Sequence, residues 1–322
     1  MPSELTLVEA IKDGLDVELG RDEEMVLYGQ DVGVAGGVFR ATDELIDRHP
    51  DQVYDAPVAE SGIVGMGVGL SAYGKRPVAE IQFSGFLLQG FAQLQQHVSR
   101  LRARSRGGHN CPMTIRTPFG GGIHALEHHS ESFAAGYAHV PGLQVVVPSS
   151  PATAKGLLAA SIRDPDPVVF LEPMRIYRSV REEVPKDEHT LPLGEAAVVE
   201  RGEDVTLIAW GALLRDARRA AASVDADVEV VDPRTLSPLD AETIVDSVKK
   251  TGRCVVAHEA PKSGGLGAEI TARINDEALV YLEAPVERVA GYDVPYPLFA
   301  READYLPDAD RIEAAIERTV EF

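Results

Sequence analysis

Apolar residues along this chain recur with two periods that alternate. Leu7, Ile11, Leu15 and Leu19 fall at helical spacing and predict a helix over 5–19. The run Met25-Val26-Leu27-Tyr28, ended by Gly29-Gln30-Asp31, predicts a strand. Val53-Tyr54 predicts another, leading into a glycine-rich helix over 61–73. Strands follow at 77–82, 113–116, 143–147 and 168–171, with helices at about 87–104 and 151–163 between them. Strands alternating with helices of this length imply a mainly parallel sheet covered by helices on both faces.

The pattern lapses between about Tyr177 and Arg201, a charged stretch with Pro185 and Pro192. It reads as a linker. A second alternating unit begins after it, with strands at 205–209, 228–231 and 254–257. Its helices fall at 212–223, 240–250, 266–278 and near 308–320. The expected organisation is therefore α/β in two domains, 1–185 and 201–322, joined by a linker at 186–200.

Composition narrows the function classes. The 322 residues suffice for two cores, and 44% hydrophobic content suits a globular protein. No apolar run approaches the roughly 18 residues of a membrane span, and Met1-Pro2-Ser3-Glu4 has no basic n-region, so a cytoplasmic, non-membrane protein is expected. Cys111 and Cys254 lie far apart without CxxC spacing, which argues against a disulfide framework and a thiolate metal site. Asp and Glu number 51 against 31 Lys and Arg, a formal charge of −20. Nucleic acid would be repelled. The acid is spread along the chain, as on a solvated surface adapted to a salt-rich, halophilic host, where screening at 1 M salt acts within about 3 Å.

Three clusters carry candidate chemistry. Glu60, in Asp55-Ala56-Pro57-Val58-Ala59-Glu60-Ser61-Gly62, stands between a strand and a helix with Gly62, Gly65, Gly67, Gly69 and Gly74. A carboxylate at a helix N-terminus is stabilised by the macrodipole, which is the plain reading. At the sheet edge where α/β folds place cofactors, it could instead hydrogen-bond a ring nitrogen. Glycines inside a helix cost about 0.8–1 kcal/mol each against alanine, so close approach of a neighbour is expected to compensate. The second cluster is Gln82, Phe83, Phe86 and Phe91: core packing, or an aromatic wall for a flat heterocycle. The third follows Gly120-Gly121-Gly122: His124, His128 and His129, with His139 beyond. His124 and His128 have i, i+4 spacing, yet HExxH is absent and the glycines argue for a loop. A loop histidine titrating near neutrality is the better functional reading than zinc.

Taken in order, these segments resemble the beta subunits of the thiamine-diphosphate-dependent, decarboxylating first component of 2-oxo acid dehydrogenase complexes. The resemblance spans essentially the whole chain. It includes Gly29-Gln30-Asp31-Val32-Gly33 with Gly36-Gly37-Val38-Phe39-Arg40, the Glu60 run, and Glu80-Ile81-Gln82-Phe83. It continues through Thr117-Pro118-Phe119-Gly120, His129-Ser130-Glu131-Ser132, Val147-Pro148-Ser149 and Val231-Asp232-Pro233-Arg234-Thr235.

The resemblance implies a transketolase-like pyrimidine-binding domain followed by a transketolase C-terminal domain. It implies that Glu60 pairs with the coenzyme pyrimidine and activates it, with Val58, Gln82 and Phe86 beside the ring. It implies that His129 serves the 2-oxo acid substrate or acyl transfer to lipoamide. No Gly-Asp-Gly occurs in the chain, so an alpha subunit is expected to hold the diphosphate and Mg²⁺ in an α2β2 assembly. That assembly would deliver its acyl group to a lipoyl-bearing acyltransferase. The family's potassium site maps to Met113, Ser161, Ile162, Asp164 and Asp166, where many members have Asn in place of Asp166. The alternative enzyme is the C-terminal half of a split transketolase or deoxyxylulose-phosphate synthase, with Arg100, Arg102, Arg104 and Arg106 as sugar-phosphate contacts; a non-enzymatic alternative is a scaffold that docks the acyltransferase.

Overall fold

The structure is a computed structural model and describes residues 3–322. In chain order the first elements are β1 (Ser3–Thr6), α1 (Leu7–Arg21), β2 (Met25–Gly29), α2 (Leu45–Arg48), β3 (Val53–Asp55) and α3 (Glu60–Ala72). β4 (Arg76–Glu80), α4 (Ser84–Gln96), α5 (Leu101–Arg104), β5 (Thr114–Phe119), α6 (Glu127–Ser130) and α7 (Ala134–Ala138) follow. Next are β6 (Gln144–Val146), α8 (Pro151–Arg163), β7 (Val168–Pro173) and β8 (Arg181–Val184). The remainder is β9 (Ala197–Glu200), β10 (Val205–Ala209), α9 (Leu213–Ser223), β11 (Val228–Asp232), β12 (Thr235–Ser237), α10 (Ala241–Thr251), β13 (Cys254–Pro261), α11 (Leu266–Ala278), β14 (Glu287–Gly291), α12 (Glu302–Tyr305) and α13 (Ala309–Val320).

Two compact units form. One comprises residues 1–119 and 136–193; the other comprises 120–135 and 194–322. The histidine-bearing excursion 120–135 thus clusters with the carboxy-terminal unit, although it interrupts the first. The stretch read as a linker carries β8, which pairs antiparallel with β1, and ends in β9.

In the first unit the strands run in the order β6-β7-β5-β4-β2-β3, all parallel. β5 and β7 are buried along their whole length, as expected for strands covered on both faces. α1 and α8 pack together over one face, α3 and α4 over the other. α1 starts at a capping box in which Thr6 and Glu9 satisfy each other's backbone N–H groups. α8 starts at Ser150 with Pro151 in its first turn. Leu7, Ile11 and Leu15 of α1 and Leu157, Leu158 and Ile162 of α8 are fully buried between helix and sheet.

The second unit has the order β14-β13-β10-β11-β9, parallel except for β9. α9 and α13 cover one face and α10 and α11 the other. Asp240 and Asp308 cap α10 and α13, and Gly252 ends α10 at φ +69°. The helix expected over 87–104 is broken: α4 stops at Gln96, and a 3-10 turn separates it from α5.

Candidate functional site

β3 ends at Asp55, whose carboxylate accepts hydrogen bonds from the Gly33 and Val34 amides at 2.7 and 3.1 Å. Five residues later Glu60 opens α3, preceded by Ala59, which provides no side-chain cap. Glu60 is only 7% exposed, whereas Val58 two residues earlier is 71% exposed. A buried carboxyl therefore stands at the positive end of a helix, at the carboxyl edge of a parallel sheet.

Close packing holds that helix in place. The Tyr28 hydroxyl donates to the Ile63 carbonyl at 2.9 Å. A Cβ at Gly67 would meet Met113 at 2.5 Å and the Tyr28 hydroxyl at 2.7 Å; one at Gly90 of α4 would meet Val64 at 2.9 Å and the Glu60 carbonyl at 3.2 Å. Gly65, Gly69 and Gly74 have open space where a Cβ would lie. Close approach therefore accounts for Gly67 and leaves those three without such a reason.

β4 leads directly to Gln82, whose Nε2 donates to Asp31 at 3.2 Å. Asp31 sits at φ +58° in the loop after β2. Phe83 is buried in an aromatic row, 5.6 Å from Phe39 and 5.5 Å from Phe86, and Phe39 continues the row to Tyr177 at 5.1 Å. Phe86 is half-buried. The Phe91 ring stands 6.3 Å from that of Tyr137. Of the three phenylalanines, Phe83 is buried, while Phe86 and Phe91 are both partly open.

A buried ionic cluster beneath this edge went unread in the sequence. Arg116 of β5 reaches Glu80 of β4 and Glu172 of β7, each at 2.7 Å, and all three are at most 5% exposed. Tyr177 donates to Glu172 at 2.5 Å. Burial pushes the Glu80 carboxyl up, opposed by the Arg116 charge. Burial works against the Arg116 charge, but Glu172 and Glu80 outweigh it and hold the guanidinium ionised. The available signal was a charge inside an otherwise apolar strand, as in Met113-Thr114-Ile115-Arg116.

In the carboxy-terminal unit, His128 and His129 lie in the short helix α6, ring centroids 4.4 Å apart. His124 precedes that helix in the loop at φ +58°, so helical i, i+4 register does not relate it to His128. Burial, then the neighbouring His128, pushes the His129 imidazole below its usual range, which favours a neutral ring able to take a proton. His139 is exposed and belongs to the first unit.

The five potassium positions gather where α8 and β5 meet β7. The Ile162 and Asp164 carbonyls both accept from Arg76 Nη1, at 2.7 and 3.4 Å. The Ser161 hydroxyl donates to Leu157, and the Met113 carbonyl accepts from Val168 at 2.9 Å. Asp166 pairs with Arg102 at 2.6 Å. The carbonyls of a helix's last turn and cap lack intrahelical donors. They suit a cation, and here a guanidinium already shares two of them.

Glu60 follows β3, and Gln82 and Phe86 follow β4, so a carboxyl, an amide and an aromatic ring stem from the carboxyl ends of two strands of one parallel sheet. Among the described residues no helix is long and apolar enough to cross a membrane.

The family described as "Transketolase, pyrimidine binding domain" matches residues 3–180, and "Transketolase, C-terminal domain" matches residues 194–312. The chain is 47% identical over 318 residues to the pyruvate dehydrogenase E1 component subunit beta of Acholeplasma laidlawii, covering 98% of this chain and 97% of the relative. It is 46% identical over 324 residues to the subunit of the same name from Staphylococcus aureus, covering 99% and 100%. Among solved structures it is similar to a split-gene transketolase, described as an inactive beta4 tetramer. That likeness has a TM-score of 0.81, 25% identity and 99% coverage of both chains.

Proposed function

Because the chain belongs to the family of pyruvate dehydrogenase E1 component beta subunits, within the transketolase-like superfamily, we propose that it is the coenzyme-activating subunit of a thiamine-diphosphate-dependent 2-oxo acid dehydrogenase. The reaction is oxidative decarboxylation of pyruvate or a branched-chain 2-oxo acid, with the acyl group passed to lipoamide. The observation that carries this reading is the buried carboxyl of Glu60 at the first turn of α3.

When bound, thiamine diphosphate supplies the nucleophilic carbon for decarboxylation. Glu60 would hold a proton at the pyrimidine nitrogen, Gln82 would orient against the exocyclic amine, and Phe86 would lie against the ring. Val58, exposed in this chain, would stand beside the ring. His129, its ring kept neutral, would accept or return a proton at the substrate or during acyl transfer. An alpha subunit would supply the Gly-Asp-Gly segment for the diphosphate and Mg²⁺, completing an α2β2 assembly that serves a lipoyl-bearing acyltransferase. Potassium at Met113, Ser161, Ile162, Asp164 and Asp166 would brace the end of α8. The charge of −20 fits a salt-rich cytoplasm.

Co-expression with a Gly-Asp-Gly-bearing alpha chain, assayed with coenzyme and a panel of substrates, tests this. The expected result is turnover of 2-oxo acids only by the pair, and a loss of roughly 10²–10⁴-fold in Glu60→Ala. Full activity in that variant, or turnover by this chain alone, overturns the assignment. The likeness to a split-gene transketolase keeps one rival in the panel: preference for sugar phosphates over 2-oxo acids would favour it.

A further inference from the structure

The triple glycine ahead of the histidines is shaped by two carboxylates from far along the chain. Glu302 of α12, 2% exposed, accepts from the Gly122 amide at 2.9 Å, the His124 amide at 3.0 Å and the Tyr296 hydroxyl at 2.7 Å. Glu259, past the middle of β13, accepts from the Gly121 amide at 3.2 Å. Gly120, Gly122 and His124 all have positive φ, at +83°, +90° and +58°. A Cβ at Gly121 would fall 1.8 Å from the Tyr296 hydroxyl, and one at Gly120 would fall 2.6 Å from Glu259. A loop of alternating left-handed residues has no regular hydrogen-bonding partner of its own. Here one buried carboxylate takes two of its amides, and a tyrosine fixes that carboxylate in turn. Three residues after His124 the chain enters α6, which carries His129.

We propose that Glu302 is a positioning residue for His129: with Tyr296 it clamps the loop 120–124 and thereby sets where the imidazole stands during acyl transfer. This rests on the role proposed above for His129 and adds a function for the carboxy-terminal unit, which holds a reactive loop that the first unit's sequence encloses. Displacement of a functional group by about 1 Å can cost on the order of 10²-fold, so the clamp is expected to matter for the step His129 serves more than for the step Glu60 serves.

The test uses the αβ assembly with the lipoyl domain of the acyltransferase. Decarboxylation is read with an artificial electron acceptor, acylation with the lipoyl domain, and backbone hydrogen exchange at Gly122 and His124 in the same samples. In Glu302→Gln the two amides are expected to exchange at least tenfold faster, and acylation to fall at least tenfold further than decarboxylation. Tyr296→Phe, which removes one donor and keeps the ring, is expected to move both readouts in the same direction by a smaller factor, and serves alone if Glu302→Gln does not fold. Glu302→Gln in a His129→Ala background is expected to add nothing to the acylation defect. Unchanged exchange, equal loss of both activities, or additive defects would overturn the proposal. A His129→Ala enzyme with normal acylation would sink the role of His129 and the positioning argument with it. In that case the exchange data would still show the clamp, so the two failures are separable.

Discussion

Gly90 of α4 lies against the backbone of Glu60: a Cβ there would stand 3.2 Å from the Glu60 carbonyl oxygen and 2.9 Å from Val64. The absent side chain at 90 thus sets the separation of α3 and α4 at the turn that carries the buried carboxyl. A methyl group at 90 gains up to about 1 kcal/mol of helix propensity but overpacks the crossing, which typically costs 1–3 kcal/mol. Gly90→Ala is therefore expected to lower the unfolding midpoint and to raise the coenzyme concentration needed for half-maximal activity, read by thermal melts and coenzyme titration. An enzyme with unaltered coenzyme dependence would show that the α3–α4 spacing does not matter to Glu60.

Gly65 and Gly69 supply the contrast, since no atom lies within 4 Å of a Cβ at either. In the isolated chain, Gly65→Ala and Gly69→Ala should each stabilise by about 0.5–1 kcal/mol by reducing unfolded-state entropy. Urea unfolding of the single variants measures this, and destabilisation by either would refute the open space at that position.

Arg116 stands between two buried carboxylates. Removing it strands both, so Arg116→Met should cost roughly 3–5 kcal/mol, seen as a large drop in the urea midpoint. Arg116→Lys keeps the charge but not the planar fork that reaches two strands at once, and should fall between the two.

His258, 1% exposed, stacks on Trp210 with centroids 5.5 Å apart. Burial pushes its imidazole down to about 4, a hydrogen bond at Ala260 offsetting part of the effect. The unfolded chain binds a proton near pH 6.5 while the folded one does not. The contribution of neutral His258 is therefore fully present above about pH 6.5 and is lost as pH falls through about 4. On the order of 3 kcal/mol is at stake over that window. Stability profiles of wild type and His258→Gln should converge towards pH 4; parallel profiles would refute the assignment.

Potassium and general salt can be told apart by one comparison. Occupancy of the carbonyl site beyond α8 predicts a higher melting temperature in millimolar KCl than in NaCl at the same ionic strength. Screening of the −20 charge predicts that both salts stabilise alike towards the molar range. A melt that moves with neither removes both readings.

The alternation of apolar periods placed most helices and strands, because those segments follow from local spacing and from caps such as Ser150 before Pro151. α8 and α11 fall over the residues the spacing predicts. The short strands β1, β8, β9 and β14 were invisible: a run such as Glu287-Arg288-Val289-Ala290-Gly291 becomes a strand only because β13 offers it an edge. Glu60, Gln82, Phe86 and His129 were legible as residue types in motifs. Which phenylalanine is buried, and which glycines admit no Cβ, depended on neighbours distant in sequence.

By itself, then, the sequence determined the alternating α/β order, the excess of acidic residues, the family resemblance and the missing diphosphate motif, since each is carried by local pattern or by composition. Only the tertiary structure decided that Arg116 is caged by Glu80 and Glu172, and that the histidine loop belongs to the carboxy-terminal unit. The physical reason is the reach of the contacts involved. A Gly122 amide and a Glu302 carboxylate, 180 residues apart, leave no periodic trace in the chain, yet their hydrogen bond helps to fix the backbone conformation at that glycine.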